Sequence, residues 1–162
     1  MVSSRRISKD EYFLEIASSV SKRSPCIRKF GAIIVKDGSI LSTGYNGSVR
    51  GALNCGLDIE CLKAIKGEHR GSYEFCPAVH AEANAIINLA RNGGSSCVNA
   101  TMYIFGDREI GSRPCIYCKR MILQSGIREV IYRNENGEII VEDPLDWIKE
   151  DNKWMFSILE GK

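Results

Sequence analysis

The stretch A-V-H-A-E-A-N-A-I-I-N-L-A, residues 78–90, is the most informative part of this sequence for its fold. Its apolar residues recur at helical spacing on one face: Ala83, Ile86, Ile87 and Ala90. The pair Gly93-Gly94 then provides a helix stop signal. We therefore predict a helix over residues 78–90, with His80 and Glu82 in its first turn.

Before that helix, the sequence predicts a first helix followed by a β-hairpin. Ser8-Lys9-Asp10-Glu11 has the form of a capping box, and apolar residues at helical spacing continue to about Lys22. Two β-branched runs, residues 31–35 and 40–43, flank Lys36-Asp37-Gly38. An Asp-Gly pair between two such runs favours a tight hairpin turn.

After that helix, the sequence predicts alternating strands and helices. We expect a strand over 101–105, a helix from Pro114 to the residue before Gly126, a strand over 129–132, a short strand over 139–141 and a helix over 144–159. Right-handed crossovers should make the strands that flank the later helices parallel. This order predicts one domain, residues 1–162, with a three-layer α/β/α architecture and a mixed sheet.

The overall composition is ordinary for a soluble globular protein. The chain has 162 residues, a formal net charge of +2 and 44% hydrophobic residues. This balance lacks the basic footprint of a dedicated nucleic-acid binder, so nucleic acid is not expected as a partner. Basic residues cluster at Lys22-Arg23, Arg28-Lys29 and Lys119-Arg120, which are either solvated surface or a phosphate-binding group.

Three features bear on where the protein works. The sequence has no run of about 18 or more apolar residues, which predicts that no segment spans a membrane. Residues 1–10 are polar and charged and lack the apolar segment of a secretory signal. Seven cysteines in such a chain indicate metal ligands and free thiols instead of disulfides. We therefore expect a cytoplasmic protein with no membrane partner.

His80 and the string Pro114-Cys115-Ile116-Tyr117-Cys118 together have the composition of a zinc site. One imidazole and two thiolates fill three corners of a tetrahedral zinc and leave the fourth for water. Both segments are predicted to begin helices, whose positive N-terminal ends favour thiolate over thiol. Glu82 is spaced to move protons to and from that water. The alternative, a structural zinc beside a surface Glu82, is disfavoured because closed structural sites have four ligands.

The order H-x-E followed by P-C-x-x-C resembles the signature of the zinc-dependent nucleobase deaminases. In these enzymes a water attacks the ring carbon that bears an amino group, C4 of cytosine or C6 of adenine. The resemblance implies that Glu82 collects the water proton and delivers it to the ring and to the departing ammonia.

Four longer strings resemble the deoxycytidylate (dCMP) deaminase family: residues 24–35, 42–48, 79–86 and 101–104. The resemblance covers about residues 8–133. It implies the cytidine-deaminase fold, a three-layer α/β/α domain with a mixed five-stranded sheet. It also implies conversion of dCMP to dUMP and ammonia, which supplies thymidylate synthesis. The family further implies a homohexamer that dCTP activates, with Mg²⁺ accompanying that nucleotide, and that dTTP inhibits.

The same resemblance implies roles for individual residues. The implied zinc ligands are His80, Cys115 and Cys118, with Glu82 as the proton shuttle. Substrate contacts are implied for Asn46, Ala81 and Arg91, and effector contacts for Gly44, Tyr45, Asn46 and Arg91. On the residues alone, a simple turn is the favoured interpretation of Asn46-Gly47, and a basic cap at a helix end is that of Arg91.

The polar stretch over residues 48–75 is long for a loop in a compact domain, and cysteines lie in and around it. Several members of the family brace the corresponding loop with a structural zinc. The resemblance implies Cys26, Cys55 and Cys76 as ligands, with His69 or Cys61 as the fourth. The alternative is a set of small buried cysteines without a metal, and Cys97 is expected to be a free thiol.

Several other functions remain open from the sequence. A tRNA adenosine deaminase shares both metal motifs but would be expected to display basic residues for RNA. Other nucleobase or nucleotide deaminases, including one acting on dCTP, are further alternatives. A non-enzymatic alternative is a nucleotide-sensing protein on the same scaffold. Glu82 disfavours that alternative, because binding alone needs no proton shuttle.

Overall fold

This computed structural model describes residues 6–67, 73–106 and 111–161, which form five helices and seven strands. The helices there are α1 (Lys9–Ser21), α2 (Leu62–Ile65), α3 (Ala81–Arg91), α4 (Ile116–Ser125) and α5 (Asp146–Glu160). The strands are β1 (Gly31–Lys36), β2 (Ser39–Tyr45), β3 (Gly47–Ser48), β4 (Ala78–Val79), β5 (Thr101–Phe105), β6 (Glu129–Arg133) and β7 (Ile139–Glu142). Within these ranges, no helix has both the length and the apolar character needed to span a membrane.

A mixed sheet organises the fold, with its strands in the order β2-β1-β5-β6-β7. β5 and β6 run parallel, as predicted for strands joined through α4. The other neighbours in this sheet are antiparallel, and β3 pairs with β4 separately. The mixed five-stranded sheet predicted above is therefore confirmed for the described residues.

Each face of the sheet has its own hydrophobic core, because alternate residues of a strand point to opposite faces. The core beneath α1 joins Phe13, Leu14, Ala17, Ile33, Val35, Tyr103 and Ile131. The core on the other face includes residues of α3, α4 and α5 and joins, among others, Ile34, Ala85, Leu89, Met102, Ile104, Ile122, Val130 and Trp147. Helices therefore cover both faces, which confirms the three-layer α/β/α architecture.

The hairpin between β1 and β2 turns at the predicted Asp-Gly pair. Asp37 and Gly38 have φ angles of 51° and 77°. Positive φ at both central positions is the geometry of a type I′ turn, whose twist matches that of the flanking strands. The two strands extend further than predicted, to Lys36 and over Ser39–Tyr45.

A close approach between β2 and α3 depends on Gly44. A Cβ atom at this position would lie 2.3 Å from the backbone nitrogen of Ala85 and 2.4 Å from the carbonyl oxygen of Ala81. Any side chain at Gly44 would therefore push away the first turn of α3. That first turn carries Glu82, so the strand holds part of the candidate site in place.

The predicted helix over residues 78–90 was wrong at its start. Ala78 and Val79 form β4, and α3 begins at Ala81. His80 is the N-cap with ψ of 155°, an extended conformation that ends the strand and starts the helix. Similarly, Pro114 precedes the N-cap Cys115 of α4 instead of opening its first turn. In both cases the metal-ligand candidate occupies the N-cap itself.

Candidate metal and proton-transfer site

Two helix starts bring the candidate zinc ligands together. His80 and Cys115 are the N-cap residues of α3 and α4, and neither side chain makes a capping hydrogen bond to its own helix. His80 Nδ1 lies 3.4 Å from Cys115 Sγ and 3.4 Å from Cys118 Sγ. The three ligand atoms all lie within 4.8 Å of one another. The three side chains therefore face a common point.

The spacing of these three atoms fits a zinc ion. Typical Zn–S and Zn–N bonds at tetrahedral angles put a sulfur and a nitrogen ligand about 3.5 Å apart. The two nitrogen-to-sulfur distances of 3.4 Å agree with that value. The donor set, one imidazole and two thiols, is one that zinc prefers and that leaves a coordination position open.

The electrostatics of the cluster favour at least one thiolate. The Cys118 thiol hydrogen-bonds to Cys115 and lowers the pKa of Cys115, while burial opposes that shift. The same hydrogen bond and burial raise the pKa of Cys118. The hydrogen bond with Cys115 also raises the pKa of His80. The unprotonated sulfur is the form that binds metal, and the nearby helix N-termini favour it further.

Glu82 is a buried acidic residue beside this cluster. It lies in the first turn of α3 and is only 6% exposed. Burial raises the pKa of its carboxyl group, although His80 and the helix backbone oppose the shift. A carboxyl group whose pKa is moved towards neutrality can both accept and donate a proton in one reaction cycle.

Two tyrosines that the sequence reasoning missed flank the cluster. The ring of Tyr73 lies 5.4 Å from the His80 ring, and it meets the Tyr117 ring edge-on at 5.1 Å. Burial and a hydrogen bond with Cys115 raise the pKa of Tyr73. Tyr117 could have been found, because it lies between the two cysteines of the C-x-x-C string. Tyr73 gives no sequence signal, because it lies in an aperiodic loop.

Asn46 supports the segment that precedes β1. Its Oδ1 accepts a hydrogen bond of 2.8 Å from the Phe30 amide, and its Nδ2 donates one of 2.8 Å to the Arg28 carbonyl. Its own carbonyl accepts a hydrogen bond from the Ser24 hydroxyl at 2.7 Å. The side chain therefore fixes the conformation of residues 28–30.

The other predicted nucleotide and effector residues lie in α3 or in strand β2 next to it. Ala81 is fully buried at the start of the helix, and Arg91 is exposed in its last turn. Tyr45 is partly exposed at the end of β2, and its carbonyl accepts a 2.8 Å hydrogen bond from Asn84. Gly44 contacts the helix as described above. Ala81 thus directly follows His80, whereas Arg91 is at the opposite end of the helix.

The cysteines in and around the long loop lie less close together than the ligand atoms of the His80 cluster. Cys55 is buried, and its sulfur accepts a hydrogen bond of 3.4 Å from the Leu62 amide. Burial raises the pKa of Cys55, and neighbouring Cys61 and Cys76 add to the shift. Burial also raises the pKa of Cys26, and Cys76, Cys55 and Cys61 add to that shift. Among the described residues, no three of these sulfurs all lie within 4.8 Å of one another, and His69 lies outside those residues.

Comparison with known proteins gives one consistent family. The family model described as the cytidine and deoxycytidylate deaminase zinc-binding region matches residues 7–134. The deoxycytidylate deaminase of Mycobacterium phage D29 is 40% identical over 134 residues, which cover 78% of this chain and 95% of the phage protein. The deoxycytidylate deaminase of Schizosaccharomyces pombe is 36% identical over 129 residues, and the match spans 78% of this chain but 37% of the yeast protein.

A solved structure agrees with these sequence matches. The crystal structure of dCMP deaminase from the cyanophage S-TIM5, in complex with dCMP and dUMP, is 30% identical to this chain. The two superpose with a TM-score of 0.62 over 81% of this chain and 85% of the phage chain. The likeness therefore extends over most of the fold as well as the metal-binding motifs.

Proposed function

This chain belongs to the cytidine and deoxycytidylate deaminase family, and on that premise we propose that it hydrolyses dCMP to dUMP and ammonia. The observation that carries the proposal is the convergence of His80, Cys115 and Cys118 beside the buried Glu82. A second support is that the 30% identical S-TIM5 enzyme is described with dCMP and dUMP bound. The proposed enzyme is a single domain with one catalytic zinc.

The proposed chemistry assigns one role to each of these residues. His80, Cys115 and Cys118 would hold the zinc, which when bound lowers the pKa of a water molecule enough to give a nucleophile at neutral pH. Glu82 accepts a proton from that water and passes it to N3 of the pyrimidine ring. The water oxygen bonds to C4, and Glu82 helps to move the second water proton to the amino group, which leaves from C4 as ammonia. The balance is one water consumed and one ammonia released for each dUMP formed.

We propose nucleotide contacts for Asn46, Ala81 and Arg91. Asn46 would act near the sugar, and it also keeps residues 28–30 in position through two backbone hydrogen bonds. Ala81 directly follows the proposed zinc ligand His80, so its backbone would lie next to the reacting ring. Tyr73 and Tyr117 offer aromatic faces and edges beside the same point, which suits a planar pyrimidine.

The finer regulatory roles are also proposals. The product dUMP would supply thymidylate synthesis in the cytoplasm, with dCTP, accompanied by Mg²⁺, as activator and dTTP as inhibitor. Gly44, Tyr45, Asn46 and Arg91 would take part in this response, and the enzyme would assemble as a homohexamer. Gly44 contacts the first turn of α3, so a nucleotide that shifts β2 would also shift the helix turn that carries Glu82.

A structural zinc in the long loop is a separate proposal. Cys26, Cys55 and Cys76 would be ligands, with Cys61 or His69 as the fourth. Burial raises the pKa of Cys26 and of Cys55, and nearby Cys61 and Cys76 add to both shifts, so these four cysteines are near neighbours, which supports the proposal. Zinc would draw together sulfurs that lie further apart without it.

The test of the loop zinc compares Cys55→Ser with Cys97→Ser. Cys97 is the matched control because its sulfur instead contacts the Ser125 carbonyl at 3.3 Å. We expect Cys55→Ser to lower the zinc content from about two to about one per chain and to lower the melting temperature. Unchanged zinc content in Cys55→Ser would remove this residue from the ligand set.

The central experiment measures ammonia release from a substrate panel with purified, zinc-loaded protein. The panel contains dCMP, dCTP, deoxycytidine and a tRNA anticodon stem-loop, and the dCMP reaction is repeated with dCTP or dTTP added. Turnover on dCMP, raised by dCTP and suppressed by dTTP, is the expected result. Turnover on the RNA alone would overturn the proposed substrate. Tight nucleotide binding without any turnover would instead support a sensor.

A further inference from the structure

The residue that leads into the cysteine motif is anchored by a segment of chain that lies outside the family match. Arg113 precedes Cys115 by two residues, and the match ends at residue 134. The backbone just before Arg113 is held by a 3.0 Å hydrogen bond from the Ser112 amide to the Arg133 carbonyl. Ser112 and Pro114 are buried on either side. Arg113 is therefore the exposed residue of a tightly packed segment, residues 112–114, called here the lead-in segment.

Glu142 of β7 binds the Arg113 guanidinium through two parallel hydrogen bonds. Arg113 Nε donates to Glu142 Oε1 at 2.8 Å, and Arg113 Nη2 donates to Glu142 Oε2 at 3.1 Å. The same carboxylate also accepts hydrogen bonds from the Tyr132 hydroxyl and the Trp147 indole. Bidentate pairing fixes both the distance and the orientation of an arginine side chain. Glu142 is thus itself held in place by the sheet and by α5.

Glu150 of α5 connects the two sides of the cysteine motif. Its Oε1 accepts a hydrogen bond from Arg113 Nη2 at 2.8 Å, and its Oε2 accepts one from Lys119 Nζ at 2.7 Å. Lys119 directly follows Cys118, and its side chain is only 13% exposed. One carboxylate therefore connects Arg113, two residues before Cys115, with Lys119, the residue after Cys118.

We propose that Glu142 and Glu150, called here the acidic clamp, act through Arg113 and Lys119 to position Cys115 and Cys118 as zinc ligands. Tetrahedral zinc requires each sulfur at a fixed distance and angle, so small shifts of the lead-in segment or of α4 weaken binding. The clamp also keeps two cations paired with carboxylates.

The inference rests on the zinc site of the proposed function but not on its substrate. Glu142 and Glu150 touch neither the proposed ligands nor the reacting atoms, so they are positioning residues. Their effect should therefore appear in how long zinc is retained and in how the sulfurs surround the metal. Both properties can be measured without any nucleotide.

The test uses Glu142→Gln and Glu150→Gln, which keep side-chain size and remove the charge. Zinc release from each loaded protein is followed with excess of a coloured chelator. We expect release to be faster than in the wild type by about 3- to 10-fold in each variant, less than the roughly 10- to 100-fold that follows loss of a group bonded directly to a metal ligand. In the Co²⁺-substituted variants, the sulfur-to-cobalt charge-transfer band should shift or weaken.

The matched control is Lys149→Ala. Lys149 forms an ion pair of 2.9 Å with Asp146 on the same helix, and both side chains are highly exposed. Removing that pair should leave zinc release within about twofold of the wild type. Glu150 is half-exposed, so Glu150→Gln decides the question if Glu142→Gln fails to fold.

Two results distinguish the clamp from the proposed function. Zinc release and cobalt spectra equal to those of the wild type in a folded Glu150→Gln would overturn the clamp, whatever the substrate. Wild-type protein that binds zinc but does not release ammonia from dCMP would overturn the proposed reaction. In that second case the comparison of zinc release still supports or overturns the clamp independently.

Discussion

Glu82 combines nearly complete burial with an ionisable side chain, and such a residue is costly to keep without a chemical role. It is 6% exposed, and burial raises the pKa of its carboxyl group. A residue needed only for stability at this position would be better replaced by an apolar or amide side chain. The proposed proton transfer explains why a carboxyl group is present there.

Replacing Glu82 with Gln should separate metal binding from chemistry. The amide keeps the shape of the side chain but cannot carry a proton, so turnover on dCMP should fall by about 10²- to 10⁴-fold. Zinc per chain should stay unchanged. Steady-state rates and metal analysis of the same sample provide the measurement, with the exposed Glu135→Gln as control. Near wild-type turnover in Glu82→Gln would remove its shuttle role.

Gly44 has a role that only its lack of a side chain explains. In Gly44→Ala, the new methyl group would lie 2.3 Å from the Ala85 nitrogen, so β2 and α3 must separate. We expect a loss of about 1–3 kcal/mol in the free energy of unfolding, as for other overpacked sites. Urea denaturation is the measurement. Gly161→Ala is the control, because a Cβ there makes only ordinary contacts.

An unchanged unfolding midpoint in Gly44→Ala would show that the helix adjusts freely to the added methyl group. That result would also weaken the proposed coupling between β2 and Glu82. A helix that adjusts freely to an added methyl group would not pass a shift of β2 on to Glu82. Zinc content of the variant should be measured alongside stability. The first turn of α3 follows the ligand His80 directly, so a displaced helix should also bind zinc less well.

At the scale of elements, ion pairs connect α5 to α4 beside the apolar core that Ile122 and Trp147 share. Arg120 pairs with Asp151 at 3.1 Å and lies over the Trp154 ring at 5.4 Å, in addition to the acidic clamp. Lys119 Nζ also lies 5.3 Å from the centre of the Trp147 ring. Several ion pairs in one contact reinforce one another because they share ordered side chains. The contact should therefore respond to pH and to salt.

The carboxylate of Glu142 makes stability depend on pH. Burial raises the pKa of Glu142, but hydrogen bonds from Arg113, Tyr132 and Trp147 outweigh burial and hold it below the ordinary value of 4.5. A depressed pKa adds stability above the unfolded-state value, and this stability is lost as the pH falls through the folded-state value. The stability difference between wild type and Glu142→Gln should therefore shrink below about pH 5.

Urea unfolding of both proteins between neutral and acidic pH measures that difference. The direct comparison matters because other carboxylates also titrate in this range, including Glu150, whose pKa is lowered by Lys119 and Arg113. A difference that stays constant with pH would contradict the ionised state of Glu142. A difference that grows as the pH falls would indicate that the carboxyl group is protonated in the folded protein.

For the whole molecule, sequence patterns predicted most of the fold because local rules determine those parts. The Asp37-Gly38 turn, the capping box of α1, where Ser8 and Glu11 bond reciprocally, and the Gly126 end of α4 each depend on a few neighbouring residues. The proximity of His80 to the cysteine motif followed from motif order and the expected α/β topology. For the turn, the capping box and the helix end, the interactions that decide the structure lie within one turn or one hairpin.

The parts that could not be predicted depend on contacts between distant segments. Arg113 and Glu142 are 29 residues apart, and nothing in either local sequence indicates the pairing. Tyr73 reaches His80 from an aperiodic loop, and β3 and β4 have only two residues each. His80 continues a strand before it caps a helix, so the apolar pattern alone placed the helix start too early. Such features arise only after the sheet has assembled.

The two proposed metal sites should be separable by their effect on the stability of the whole protein. A metal that binds the folded state raises the melting temperature as its free concentration rises. We expect this rise with buffered zinc in the wild type and a smaller, remaining rise in His80→Ala, which keeps the loop cysteines. No remaining rise in His80→Ala would contradict the loop site, and no rise in the wild type would contradict both.

The separation of the ligands along the chain has a consequence for biosynthesis. His80 lies 35 residues before Cys115 and 38 before Cys118, with β5 between them. At ordinary translation speeds the ribosome needs about 2 to 8 s to add the residues from His80 to Cys118. During that interval His80 lacks the two sulfur partners of its own site, Cys115 and Cys118. Assembly of the three-ligand site at His80 must therefore wait until α4 has left the ribosome exit tunnel and packed beside α3.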